Sequence, residues 1–188
     1  MKRILLVILA LTMCLCLFSC GDEDEIPEGM KLASDTEIVD YKLYVPIDWT
    51  VSNATATTQA YCEDRTNINI AQWDSSKTVD EWWKDEYKPQ VFEAGAVTEA
   101  TIEKNKDGSE GKSITLDKKA AKQYDYTAKI GDSFFKYTVI ACKTGGSIYV
   151  IHITYMQDSG KEGDEVVFSS VEKHKDDIKN ILDNFKFE

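Results

Sequence analysis

Residues 122–155 constrain the fold more than any other part of this 188-residue chain. Three strand-like segments, Lys122 to Ile130, Phe134 to Cys142 and Ser147 to Tyr155, follow one another, joined by Gly131-Asp132 and Gly145-Gly146. Short connections rich in Gly and Asp suit tight hairpins, because such turns need backbone angles that glycine adopts without penalty. The segments therefore read as an antiparallel meander. In the third, Ile148 and Val150 alternate with Tyr149, Ile151, Ile153 and Tyr155, so both faces are apolar and the strand is expected at the centre of a sheet.

The flanking sequence supplies more strands and two helices. Met30 to Ala33 and Tyr41 to Val45 flank a polar turn, Pro46-Ile47-Asp48-Trp49 redirects the chain, and Gln59 to Cys62 and Asn67 to Trp73 read as further strands. Thr101 to Asn105 and Lys112 to Leu116 read as arms of a hairpin around Lys106 to Gly111. Thr78-Val79-Asp80-Glu81 has the form of a capping box, which predicts a helix running through Trp82, Trp83 and Tyr87 to a break before Pro89. Ser169-Ser170-Val171-Glu172 predicts a second box, and Val171, His174, Ile178, Ile181, Leu182 and Phe185 then recur at helical spacing. The expected class is α+β, an antiparallel β-sheet flanked by helices.

The N-terminus reads as an address. Lys2 and Arg3 precede an apolar run from Ile4 to Phe18, about 15 residues and short of the ~20 that a spanning helix needs. The run ends in Leu17-Phe18-Ser19-Cys20, which resembles the bacterial lipobox, with Phe18 bulkier than usual at its position. That resemblance implies cleavage before Cys20 and a diacylglyceryl anchor on its thiol, with an uncleaved anchor or a plain secretory peptide as the alternatives. The expected division is 1–19 signal peptide, 20–29 acidic tether and 30–188 single domain. Asp22-Glu23-Asp24-Glu25 would keep the tether solvated and off an anionic surface. The expected location is the extracytoplasmic side of the cell membrane, the membrane contact being lipidated Cys20.

With 43% apolar and 29% charged residues the chain has a globular composition. Its formal charge of −11 excludes a general electrostatic affinity for nucleic acid. Cys14 and Cys16 lie in the signal peptide, which leaves Cys62 and Cys142 in the domain. Two readings of this pair stay open. A disulfide suits an oxidising compartment but needs Cα atoms within about 7 Å, and the other reading is two small buried hydrophobes.

The sequence offers no catalytic set. His152, between Ile151 and Ile153, and His174, in the terminal helix, are the only imidazoles and are read as structural. No nucleophile-elbow or phosphate-loop glycine pattern occurs. Cys62, Cys142, His152 and His174 lack the close-paired spacing of zinc sites, and no metal or cofactor is expected. Glu103, Asn105, Asp107 and Gly108 begin like a calcium loop, but Ile114 stands where the closing carboxylate belongs. Trp82 and Trp83 are about 100° apart on one helix, which leaves two readings: one on the sheet and the other at a partner-contact face with Tyr87, Asp80, Asp85 and Glu86, or both half-buried along the helix border. Trp49 and Trp73 are expected in the core.

Taken together, Tyr44-Val45-Pro46-Ile47-Asp48-Trp49, Lys122-Gln123-Tyr124-Asp125-Tyr126, Ile148 to Tyr155 and Ile181 to Phe187 resemble the superfamily of the photosystem II extrinsic protein PsbP and the Mog-type Ran-binding proteins. Pro27 to Ser34 is similar to the start of lipoproteins of this type from clostridia-like bacteria. The resemblance implies an α/β/α sandwich around an antiparallel sheet. It also implies a docking or protein-binding role, without a catalytic residue set to carry over. The expected function is a non-catalytic, membrane-anchored module that binds a protein partner or another envelope component. The rivals are a small-molecule or cation-binding accessory lipoprotein and, most weakly, a hydrolase.

Overall fold

The structure, a computed structural model, describes residues 25–54, 57–95, 97–158 and 166–188. The signal peptide, Cys20 and residues 21–24 of the expected tether lie outside the described residues, as does most of the polar loop after Asp158.

An antiparallel sheet organises the chain around β11 (Ser147–Met156). This strand pairs with β10 (Ser133–Thr144) on one side and β6 (Asn67–Asp74) on the other. Beyond β6 lie β5 (Thr57–Tyr61) and β4 (Thr50–Ala54), and beyond β10 lie β9 (Lys119–Ile130) and β7 (Thr98–Ile102). The order is β4-β5-β6-β11-β10-β9-β7, with β8 (Lys112–Leu116) paired to the near end of β9. β11 is thus the middle strand, as its two apolar faces predict. Ile151 faces Ile140 and Ile70 in the neighbouring strands, and Val150 faces Ala141 and Ala71.

The expected hairpin of residues 101–116 is corrected. Its arms run into β7 and β8, and both strands pair with β9; the loop between them is closed by the bridge between Lys104 and Glu110 and by Asn105. At twelve residues, β9 is long enough to hold both arms end to end.

Alternation along the strands makes two cores. Tyr149, Ile151, Ile153 and Tyr155 face one with Ile68, Ile70, Ile140 and Cys142, while Ile148 and Val150 face the other with Val139, Ala141, Tyr124 and Tyr126. The first core is closed by α2 (Ser169–Lys173), α3 (Lys175–Asp183) and two small strand pairs. These pairs are β1 (Met30–Leu32) with β3 (Tyr44–Pro46), and β2 (Tyr41–Lys42) with β12 (Lys186–Phe187). The second core is closed by α1 (Val79–Trp82) and the π-helical turns Trp83–Tyr87 and Pro89–Glu93. The architecture is accordingly mostly antiparallel β, with few and short helices. Seven strands in line span roughly 29 Å at about 4.8 Å per pairing, whereas one helix covers about 10 Å, so much of the cover comes from strands and loops.

The capping box of α1 is formed. Glu81 N–H donates to Thr78 Oγ1 at 3.3 Å, and Thr78 N–H donates to Glu81 Oε2 at 2.9 Å. Pro89 does not end the helix as expected. The turns widen, Lys88 N–H reaches the Trp83 carbonyl and Ala94 N–H the Pro89 carbonyl. The proline ring thus opens a π-helical turn, where its missing N–H is tolerated. The second box is also corrected. Phe168 precedes the first turn of α2 without a capping bond, and Ser169 spends its hydroxyl on Asp158 Oδ1 at 2.8 Å.

Candidate functional site

Two polar centres stand out, one against the second core and one at the edge of the first. Against the second core, His152 Nε2 lies 3.1 Å from the Tyr87 hydroxyl, which lies 3.0 Å from the Tyr126 hydroxyl. The other ring nitrogen meets Asn69 Oδ1 at 3.2 Å. Burial pushes the His152 pKa down to about 4 and raises those of Tyr87 and Tyr126, so the group is neutral and internally satisfied near pH 7.

The expected contact face is not at the surface. Trp82 is 0% exposed, Trp83 3% and Tyr87 1%. The helix lies between strands that cover both of its flanks: Trp82 meets Trp73 edge to face at 5.3 Å, and Trp83 stacks on Tyr124 at 4.0 Å. A 100° separation therefore sends both indoles inward. Trp49 is buried, and Trp73 packs partly buried against the second core.

The second centre begins where β5 ends. Cys62 N–H donates to the Thr66 carbonyl at 3.0 Å and Arg65 N–H to the Cys62 carbonyl at 3.1 Å, closing a tight turn in which Arg65 takes a φ of 68°. Within it, the Thr66 amide donates to Asp64 Oδ1 at 3.1 Å and fixes the carboxylate. From the other side comes His174, whose backbone leaves helical geometry between α2 and α3. Its ring stands edge-on to Trp49 at 6.0 Å. His174 Nε2 is 2.8 Å from Asp64 Oδ2 and 3.5 Å from Cys62 Sγ, and Nδ1 is 3.0 Å from Asp177 Oδ2. The Cys62 thiol donates to Asp64 Oδ1 at 3.0 Å, and Lys173 Nζ to Asp64 Oδ2 at 2.7 Å.

Asp64 is the hub. Burial opposes its charge, but bonds from Lys173, Cys62, His174 and the Thr66 amide outweigh that and hold its carboxyl well below the usual carboxylate range. Burial and the facing carboxylate push the Cys62 thiol up to about 11. Cysteine, imidazole and carboxylate thus stand in sequence, yet the thiol stays protonated near neutral pH, which disfavours its use as a nucleophile. Beside the cluster opens a cleft of about 610 Å³ lined by Glu63, Asp64, Arg65, Gln157, Asp158 and Ser170, among others.

Cys62 and Cys142 are both free, which corrects the disulfide reading. Cys62 follows β5, while Cys142 is fully buried in β10 against the Ala120 carbonyl. Two strands, β6 and β11, stand between them, placing the residues roughly 14 Å apart at about 4.8 Å per pairing, beyond the ~7 Å limit. The loop at 103–110 satisfies itself: Asp107 Oδ1 accepts from the Ser109 amide and hydroxyl, and Glu103 pairs with Lys136.

The sequence did not bring Cys62, Asp64 and His174 together. The one local hint is Cys-x-Asp at a strand end; the imidazole comes from 110 residues beyond Asp64. No helix of the described residues is long and apolar enough to cross a membrane.

No protein-family model matches the chain, and no curated protein does. A Pseudomonas aeruginosa protein of unknown function, PA94, is similar in structure over 82% of this chain and 94% of its own, with a TM-score of 0.50 at 12% identity. A protein from Bacteroides thetaiotaomicron is similar over 86% of this chain and 49% of its own, with a TM-score of 0.48 at 11% identity. LpqN, a Mycobacterium tuberculosis protein involved in cell envelope biogenesis, is similar over 86% of this chain and 79% of its own, with a TM-score of 0.37 at 10% identity. The PsbP superfamily is not named among these neighbours, and what they share with this chain is, at most, the fold.

Proposed function

We propose that this chain is a lipid-anchored module on the extracytoplasmic side of the cell membrane, with a non-catalytic PsbP-like domain that binds a protein partner or envelope component. The observation that carries the reading is the short apolar run behind Lys2-Arg3 that ends in Leu17-Phe18-Ser19-Cys20. Two acyl chains on Cys20 would hold the domain stably, since each buried methylene contributes about 0.8 kcal/mol. The non-catalytic reading is supported by the state of the imidazoles: both ring nitrogens of His152 are engaged, by Tyr87 and Asn69, and His174 is held between two carboxylates.

Growth with an alkyne-tagged palmitate tests the anchor. Label is expected on the wild-type chain and absent from Cys20→Ala, which should also leave the membrane fraction. Equal labelling of both would refute the anchor. Crosslinking on intact cells then tests the binding role, with one specific protein captured as the expected result. Reproducible absence of any captured protein would count against it.

A second reading rests on the cleft beside Asp64. Its volume and its converging polar side chains are those of a small-ligand pocket, which favours an accessory lipoprotein that holds a small molecule or cation.

A further inference from the structure

We infer that Cys62, Asp64 and His174 form a binding site for a zinc-class divalent ion, with Asp177 orienting the imidazole. This deepens the cation-binding reading and is independent of the lipid anchor and of any protein partner. The ligand atoms of the three residues lie within 4.8 Å of one another. Sulfur, imidazole nitrogen and carboxylate oxygen are the donor types that a borderline-soft cation such as Zn²⁺ selects over calcium or magnesium.

The sulfur–nitrogen spacing fits a tetrahedral ion. Zinc bond lengths at tetrahedral angles put sulfur and nitrogen about 3.6 Å apart, sulfur and oxygen about 3.5 Å, and nitrogen and oxygen about 3.3 Å. Here sulfur and nitrogen are 3.5 Å apart, while the Asp64 carboxylate meets the sulfur through Oδ1 at 3.0 Å and the nitrogen through Oδ2 at 2.8 Å. The first pair is already in place. The carboxylate has to turn so that one of its oxygens faces both, and the three ligand atoms already lie within 4.8 Å of one another.

The surroundings support the same assignment. Asp177 Oδ2 receives His174 Nδ1 at 3.0 Å, the carboxylate–histidine arrangement that directs Nε2 toward a metal. The Thr66 amide fixes Asp64 at 3.1 Å. Lys173, the cation now on Asp64 Oδ2, has a side chain 62% exposed and is free to turn into solvent. An incoming ion takes the places of the thiol proton and the Nε2 proton, which pass to solvent.

The cluster borders the cleft. Asp64 belongs to both cluster and cleft wall, and Ser170 on that wall has a buried hydroxyl without a partner among the described residues. A buried hydroxyl in that state suits a hydrogen bond to a metal-bound water.

The test uses the full chain purified in detergent and titrated with Co²⁺ as the spectroscopic stand-in, then with Zn²⁺ in competition. A saturable thiolate-to-cobalt charge-transfer band is expected, displaced by Zn²⁺, retained in Cys142→Ser and lost in Cys62→Ser. Asp177→Asn, a surface change that leaves all three ligands, is expected to weaken binding by about 10- to 100-fold. It provides the reading if Cys62→Ser does not fold. No saturable band in the wild type, a band that survives Cys62→Ser, or unchanged affinity in Asp177→Asn would overturn the site and leave the cluster a hydrogen-bonded latch between the β5–β6 turn and the terminal helices. Loss of acyl labelling at Cys20 would leave this result untouched, so the two proposals fail separately.

Discussion

The indole of Trp83 lies flat on the ring of Tyr124, 4.0 Å between centroids and 6° from parallel, while its Nε1–H donates to Glu110 Oε2 at 2.7 Å. One contact therefore ties the helix after β6 both to β9 and to the turn preceding β8. That turn reaches its position at Gly111, where a Cβ would stand 2.4 Å from Tyr124 Cε1 and where φ is +79°. Gly111→Ala should destabilise the fold by about 3 kcal/mol, from left-handed strain plus displacement of the stacked ring. Gly108→Ala is the comparison. Its φ of +83° is similar but nothing lies within 4 Å, so about 1 kcal/mol is expected. Urea unfolding of the two variants separates strain from overlap, and equal losses would show that Tyr124 does not crowd position 111.

His152 should make stability depend on pH in the mildly acidic range. Burial holds its pKa at about 4 in the folded chain against 6.5 when exposed, and its partners, the Tyr87 hydroxyl and the Asn69 amide, do not titrate in that window. Between these values the unfolded chain binds the proton and the folded chain does not. Stability is therefore fully present above about pH 6.5 and falls as the pH drops toward 4, by about 3 kcal/mol. In His152→Gln this component should be missing, so the stability difference between wild type and variant should change across the window. A constant difference from pH 7 to 4 would show that the imidazole is not held neutral.

How much of this was legible in the sequence depends on how local the determinant is. The two apolar faces of β11 and the glycine turns around β10 are written within a few residues, and they gave the centre of the sheet. The Thr78 and Glu81 exchange is equally local. Ser169 carries the same sequence signal as Thr78, yet its hydroxyl meets a better acceptor in Asp158, eleven residues away, and the box does not form. β4 and β12 were missed because short, polar or terminal segments show little periodicity. The Cys62–Asp64–His174 cluster was missed because its parts meet only when a strand-end turn and the joint of the terminal helices come together.

The same long-range effect decides the tryptophan pair. Adjacent positions on an isolated helix cannot share one buried stripe, but Trp73 on one flank and Tyr124 on the other bury both. Trp82→Ala and Trp83→Ala should each cost about 3–5 kcal/mol as cavity-forming changes. Trp83→Phe should cost about 1–2 kcal/mol, mostly from the lost bond to Glu110, which keeps Lys88 at 3.0 Å. Chemical denaturation reads all three, and a Trp83→Ala protein as stable as the wild type would place that ring outside the core.

The two domain cysteines should behave as separate thiols with different accessibility. Cys142 is fully buried in β10, so in the folded protein it should resist alkylation. Cys62 is only partly buried, but its thiol is pushed up to about 11, and modification should be slow because the thiolate is the reacting form. Raising the pH from 7 to 9 should speed Cys62 labelling about 100-fold, as expected for a thiol whose pKa lies above both values. In urea without reductant both cysteines should take up reagent fully, and adding reductant should change neither the masses nor the melting temperature. Protection of both in urea until reductant is added would instead show a disulfide, and the strand order that keeps β5 and β10 two strands apart would have to be wrong.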